Sequence, residues 1–202
     1  MAERDWNAHY EAGATPWDTG RPDEHLVALV DAKAVPAGRT LEIGCGTGTN
    51  ALWLAGQGHE VTAVDLAPLA VTQARARAAS QPALPCRFEA LDFLTEAPPG
   101  GPFDFAFDRG CFHVFDEADV RARFAARVAH LLKPGGVWFS LVGSTEGPPR
   151  DHGPPRRSAQ EIITAIEPVL QVVSLAEVTF EAIGEHPPPF AWRCLARRRP
   201  VE

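Results

Sequence analysis

The chain has 202 residues, 45% of them hydrophobic and 22% charged, with a net charge of −7; this fits one globular domain able to bury its own core. The acidic balance argues against a general nucleic-acid binder, no run reaches the roughly 18 apolar residues of a membrane span, and Met1 to Asp5 lacks the basic start and apolar stretch of a signal peptide. The four cysteines, Cys45, Cys86, Cys111 and Cys194, are scattered without CxxC or metal-type spacing, so a reduced, cytoplasmic chain without a metal is expected.

Nineteen prolines and seventeen glycines collect in clusters, such as Pro98 to Pro102, Gly147 to Pro149, Gly153 to Pro155 and Pro187 to Pro189. Between them the sequence is clean, which is punctuation between regular elements rather than a disordered composition. A helix is expected near Asp23 to Ala34. Thr40 to Gly44 reads as a short buried strand and Thr47 to Gly56 as a helix. Glu60 to Asp65 is an alternating, β-branched strand. Pro68 suits the first turn of a helix that runs on through Val71 to Ser80. Cys86 to Ala90 and Phe103 to Asp108 are strands, followed by a helix over Glu117 to Leu132 and a strand over Val137 to Gly143. Ser158-Ala159-Gln160-Glu161 has the form of a capping box opening a helix to Ile166. Val169 to Phe180 and Phe190 to Arg197 are the last strands. With no helix between them, they should pair antiparallel at one edge. Strand–helix alternation before them implies a parallel sheet with helices on both faces.

The chemistry is expected in Leu41-Glu42-Ile43-Gly44-Cys45-Gly46-Thr47-Gly48, which joins the first strand to the first helix of the sheet. Alternate glycines let the backbone turn tightly and let a ligand approach without Cβ atoms in the way. Open α/β sheets bind ligands at the carboxyl ends of their strands. The third glycine falls at 48, which departs from GxGxxG, and no GK[ST] is present. Glu42 precedes the glycines and no Lys or Arg stands near them, which suits a ligand with a cationic end better than a pyrophosphate. Asp65 closes the second strand 21 residues after Gly44 and can take both hydroxyls of a ribose. Asp92-Phe93 follows the third strand and could hydrogen-bond an adenine edge and pack its face. By itself a glycine loop is equally well a structural turn.

These spacings, with Leu131-Leu132-Lys133-Pro134-Gly135-Gly136 before a strand, resemble the class I S-adenosylmethionine-dependent methyltransferases. Trp6-Asn7-Ala8-His9-Tyr10, Thr15-Pro16-Trp17-Asp18-Thr19-Gly20, Phe107-Asp108-Arg109-Gly110 and His152-Gly153-Pro154-Pro155 are similar to motifs of the thiopurine, thiol and halide methyltransferase group. The resemblance implies an α/β fold: a seven-stranded, Rossmann-like, doubly wound sheet, mostly parallel with an antiparallel C-terminal hairpin, plus an N-terminal helical cap. One methyltransferase domain is expected over residues 1–202, with 1–38 as the cap segment and 39–202 as the sheet core.

The resemblance also implies a shell for S-adenosyl-L-methionine. Trp6, Tyr10 and Trp17 would close over it; Gly44 would approach its methionine part, and Glu42 and Gly46 also belong to the cofactor shell. Asp65 would hold the ribose, Asp92 with Phe93 the adenine, and Leu66 also belongs to the cofactor shell. Asp108 would lie beneath the methionine end, and Arg109 near its carboxylate or beside the substrate. His113, in Cys111-Phe112-His113, lines the pocket and is the first choice if a histidine serves as base or orienter. Arg150 and His152 are candidates for an anionic substrate, and Gly147 to Pro155 for a stiff wall of the acceptor site. Cys45 is small rather than reactive, and Trp53, Trp138 and Trp192 read as core.

The donor's sulfonium is a cation, which aromatic faces favour; a closed cap excludes water and holds nucleophile and methyl in line. No Asp–His dyad of fixed spacing stands out, which points to an acceptor that arrives nucleophilic, a thiol, another chalcogen or a halide. The alternatives are O- or N-methylation of a small aromatic or heterocyclic metabolite, and a non-catalytic S-adenosylmethionine sensor. The expected partner is a small-molecule acceptor, with no nucleic acid, membrane or obligate protein partner.

Overall fold

A computed structural model describes residues 5–149, 153–181 and 187–200. Its seven strands are β1 (Arg39–Ile43), β2 (Glu60–Asp65), β3 (Cys86–Ala90), β4 (Phe103–Arg109), β5 (Leu132–Gly143), β6 (Gln171–Thr179) and β7 (Phe190–Arg197). The α-helices are α1 (Trp6–Glu11), α2 (Glu24–Asp31), α3 (Thr49–Gly56), α4 (Pro68–Ala79), α5 (Ala118–Leu131) and α6 (Ala159–Ile166), with a single 3-10 turn at Phe112–Val114. The sheet order is β3-β2-β1-β4-β5-β7-β6. β1 to β5 pair parallel, and β7 runs antiparallel to both β5 and β6. This is the expected doubly wound sheet. The C-terminal pair lies at the edge as expected, but β7 takes the inner place and β6 the outer.

Strand alternation sends side chains to two apolar layers. Leu41, Ile43, Ala106 and Trp138 pack with Phe124 and Val128 of α5 and with Ile162 and Ile166 of α6. Val61, Ala63, Phe105, Phe107 and Phe139 pack with Leu26 of α2, Ala51 and Leu54 of α3, and Val71 and Ala74 of α4. Glu42 lies between Leu41 and Ile43 on β1, so its side chain faces the α3 layer. The sheet is covered on both faces, which is why its strands read as near-continuous apolar runs.

Helix starts follow their caps. Ser158 and Glu161 form the expected capping box at α6. Asp23 accepts the N–H groups of His25 and Leu26 and starts α2. Two elements differ most from expectation. Strand β5 begins at Leu132, which lies opposite Phe103 ahead of a register shift, while Gly135 and Gly136 are tied to Arg198 beyond β7. Helix α1 is too short to show a period, and it is opened by Asp5, whose carboxylate accepts the Ala8 N–H at 3.0 Å. Among the described residues no helix is long and apolar enough to cross a membrane.

Chain order runs outward from β1 through β2 to β3, then returns to start β4 on the other side of β1. The carboxyl ends of β1 and β4 therefore flank the switch point, where such sheets leave a crevice.

Candidate active site

The crevice is lined by Tyr10, Trp17, Asp18, Thr19, Arg21, Glu42, Gly44, Cys45, Gly46, Thr47, Thr49, Asn50 and Arg109. The glycine loop forms its floor. Gly44 and Gly46 have φ of +71° and +55°, the left-handed region that suits glycine. A Cβ at Gly44 would stand 2.9 Å from the Cys111 side chain, and one at Gly46 would stand 2.9 Å from the Tyr10 hydroxyl. The loop is held by Asp65, whose Oδ2 accepts the Gly46 N–H at 2.8 Å and whose Oδ1 accepts the Ala67 N–H at 2.9 Å. Burial raises the Asp65 carboxyl above its ordinary range, against these backbone donors.

Glu42 is the main electrostatic feature of the floor. It is 2% exposed. Its Oε1 accepts from Asn50 Nδ2 at a long 3.4 Å, and Oε2 is buried with no partner among the described residues. Burial pushes its carboxyl up to about 8, only partly offset by Asn50, and the nearby Asp65 adds to the rise. An unpaired buried carboxylate oxygen is costly. A cation placed against it would relieve that cost and favour the charged form.

Arg109, at the end of β4, lines the same crevice. Its Nε donates to Asp23 Oδ2 at 2.7 Å and its Nη1 to the Trp17 carbonyl at 3.1 Å. Its guanidinium stands 5.1 Å from the centre of the Phe180 ring. The arginine is thus held on three sides by elements far apart in sequence.

The roof comes from the N-terminal segment. Tyr10 is buried, and Trp17 Nε1 donates to its hydroxyl at 3.3 Å. Trp6 meets Trp17 edge-on at 5.7 Å and stands behind it rather than on the crevice wall. Asp18 Oδ2 accepts the Thr47 hydroxyl at 2.6 Å, which pins the roof to the floor. Asn7 Oδ1 accepts the Leu69 N–H at 2.9 Å and ties α1 to α4.

The other expected residues lie outside this crevice. Leu66 is 49% exposed just beyond β2. Asp92 follows β3 and caps its own turn, accepting the Leu94 N–H at 2.8 Å and the Thr95 hydroxyl at 2.9 Å. Phe93 is buried against Phe124 at 4.8 Å, so its ring serves the core. Asp108 is fully buried. It accepts the N–H groups of Cys111 and Phe112 and the Trp138 indole N–H, so it shapes the turn after β4. Burial raises its carboxyl to about 6, against those donors. His113 is buried, and its Nδ1 accepts the Gly143 N–H at 2.8 Å. That places the ring proton on Nε2, where the ring donates rather than accepts. In this arrangement His113 orients the end of β5.

Of the aromatic residues expected in the core, Trp138 is fully buried, while Trp53 and Trp192 are partly exposed. Cys45 is buried, and that burial keeps its thiol well above its ordinary pKa. Arg150 and His152 lie outside the described residues. The neighbouring Gly147 segment is organised by Arg156, whose guanidinium donates to the carbonyls of Ser144, Thr145 and Gly147. The sequence signalled Asp18 through its Thr15 to Gly20 motif, but not Asp23, Asn50 or Arg156, whose roles depend on distant partners.

A doubly wound sheet with a crevice at this switch point, floored by a glycine loop and roofed by aromatic rings, is the architecture that the resemblance to S-adenosylmethionine-dependent methyltransferases implies. Residues 1–180 match the family model described as thiopurine S-methyltransferase, and the chain belongs to that family. It is 37% identical over 151 residues to a probable thiol methyltransferase 2 of Arabidopsis thaliana, covering 74% of this chain and 65% of that protein. It is 34% identical over 184 residues to thiocyanate methyltransferase 1 of Brassica oleracea, covering 90% and 77%. The chain thus spans just under two thirds of the first relative and about three quarters of the second. Among solved structures, one from work on the conversion of a disulfide bond into a thioacetal group during echinomycin biosynthesis matches with a TM-score of 0.83 at 29% identity, covering 96% of this chain and 90% of that one. Burkholderia thailandensis 1,6-didemethyltoxoflavin-N1-methyltransferase, solved with bound 1,6-didemethyltoxoflavin and S-adenosylhomocysteine, matches with a TM-score of 0.74 at 25% identity, covering 96% and 86%.

Proposed function

We propose that this chain, as a single domain, moves a methyl group from S-adenosylmethionine to a small-molecule nucleophile, a thiol or other chalcogen by preference, or a halide. The donor supplies an electrophilic methyl on a sulfonium. Glu42 Oε2 receives the ammonium of its amino-acid end, and Arg109 receives the carboxylate. The orphaned Glu42 oxygen carries this assignment, because a buried carboxyl without a partner for Oε2 gains most from a ligand that brings a charged donor such as an ammonium. The glycine loop admits the donor's backbone-hugging stretch, and Asp65 and Leu66 stand at the next strand end for the ribose. Asp92 stands at the strand end beyond, for the adenine edge. Tyr10 and Trp17 roof the crevice, exclude water and present ring faces to positive charge.

The sulfur preference rests on what the crevice does not offer. No histidine is among the described residues that line it. His113, just past β4, has its acceptor nitrogen occupied by Gly143. With no histidine among the described lining residues, an acceptor that already arrives nucleophilic, a thiolate, selenolate or halide, suits the crevice best. The thiol and thiocyanate methyltransferases among the relatives support the same choice.

A methylation assay over a panel of thiols, halides, phenols and ring nitrogens tests the reading. Thiols and halides should turn over fastest, with a rate that rises with the thiolate fraction. Turnover confined to phenols or ring nitrogens would overturn the acceptor assignment. Tight S-adenosylhomocysteine binding with no turnover on any acceptor would mark a sensor.

A further inference from the structure

Two residues with no part in the donor contacts above connect Glu42 to Arg109. Asp23 opens α2: its Oδ1 accepts the N–H groups of His25 at 2.9 Å and Leu26 at 3.3 Å. Its Oδ2 accepts Arg109 Nε at 2.7 Å. The side chain is 2% exposed, so the ion pair is shielded from water. The backbone N–H of the same residue donates to Asn50 Oδ1 at 2.9 Å. A backbone N–H can only donate, and this settles which way the Asn50 amide faces. Nδ2 is turned toward Glu42, 3.4 Å from Oε1. The chain of contacts runs from β4 through the start of α2 and the first turn of α3 to β1.

We propose that Asn50 and Asp23 are the positioning residues of the donor site, joining its two charged contacts into one unit. Asn50 occupies Glu42 Oε1 and so leaves Oε2 for the donor's ammonium. Asp23 fixes the Arg109 fork for the donor's carboxylate and, through its own N–H, fixes Asn50. The inference rests on the reading that Glu42 and Arg109 meet the donor's amino-acid end. Its physical content is that both charges are held by one residue at a helix start, and neither is free to swing independently. The long Asn50–Glu42 contact should tighten when the ammonium arrives, as site hydrogen bonds in ligand-free proteins do.

Two probes separate positioning from general structure. S-adenosylhomocysteine carries the amino-acid end, and 5′-methylthioadenosine lacks it. Calorimetry with Asn50→Leu and with Asp23→Asn should show S-adenosylhomocysteine binding weakened about 10- to 100-fold, with methylthioadenosine binding unchanged. Asparagine still caps a helix, so Asp23→Asn keeps α2 while breaking the ion pair. Asn50→Thr, too short to reach Glu42, replaces the leucine variant if that one does not fold. Equal loss of both probes, or no loss of either, overturns the proposal. Glu42→Gln distinguishes the two levels. If it weakens S-adenosylhomocysteine alone while the Asn50 and Asp23 variants do not, the donor contact stands and the positioning role falls. If Glu42→Gln changes nothing, the donor contact itself is wrong.

Discussion

The neighbouring strands β1 and β4 each end on a buried carboxylate, and the two have opposite fates. Asp108 lies opposite Ile43 in the pairing of β4 with β1, one residue along from Glu42. Both side chains are almost inaccessible. Asp108 receives two backbone N–H groups and an indole N–H, and its carboxyl rises only to about 6. Glu42 has one long amide contact and an orphaned oxygen, and its carboxyl rises to about 8. Burial is similar, so the difference comes from the donors Asp108 has and Glu42 lacks, with the Asp65 and Asp108 charges adding to the rise at Glu42. A buried acid whose hydrogen bonds are complete belongs to the fold. The one left incomplete at the crevice floor is the one proposed to meet the ligand.

The largest expected effect falls on the satisfied acid. Asp108→Ala would strand three buried donors, each about 1–3 kcal/mol if unsatisfied, and should lower stability by about 3 kcal/mol or more. Chemical denaturation checks this; a loss under about 1 kcal/mol would erase the contrast. Glu42→Gln should act the other way. It should weaken S-adenosylhomocysteine binding about 10- to 100-fold, and above pH 8 it should leave the ligand-free protein as stable as before or more so. Calorimetry and denaturation together decide whether Glu42 is a ligand contact or part of the fold.

The pH dependence sharpens the contrast further. Glu42 has a folded pKa raised from 4.5 to about 8. A group raised in this way favours folding fully below its unfolded pKa, and that contribution is lost as pH rises through its folded pKa. The ligand-free protein should therefore lose stability between about pH 4.5 and pH 8, and Asp108 should add a smaller loss ending near pH 6. Melting curves should show the upper part of the slope vanish in Glu42→Gln and the lower part persist. The smallest effect is expected at the roof. Thr47→Val removes the hydroxyl that Asp18 accepts, worth about 1 kcal/mol, and should raise the donor KM roughly fivefold with the fold unchanged.

Local pattern explains why most elements were readable in advance. Alternating or continuous apolar runs marked each strand, and the Ser158 to Glu161 box marked α6, because these signals lie within one turn or one strand. Helix α1 was not readable, since six residues hold under two turns. The start of β5 was missed because Lys133 to Gly136 reads as a turn, and only pairing with Phe103 draws Leu132 into the sheet.

The sequence by itself determined the doubly wound sheet, the glycine loop at its switch point and the acid at the end of each early strand. Periodicity, glycine at positive φ and spacing are local properties, so these are written along the chain. Only the tertiary structure decided which acids have their hydrogen bonds completed by the protein and which keep an unpartnered oxygen. Phe93 and Asp108 turned inward, His113 was taken by Gly143, and Asn50 and Asp23 came together with Glu42 and Arg109. Each of those outcomes depends on donors supplied from residues distant in sequence, and hydrogen-bond completion is visible only once the chain has folded around each group.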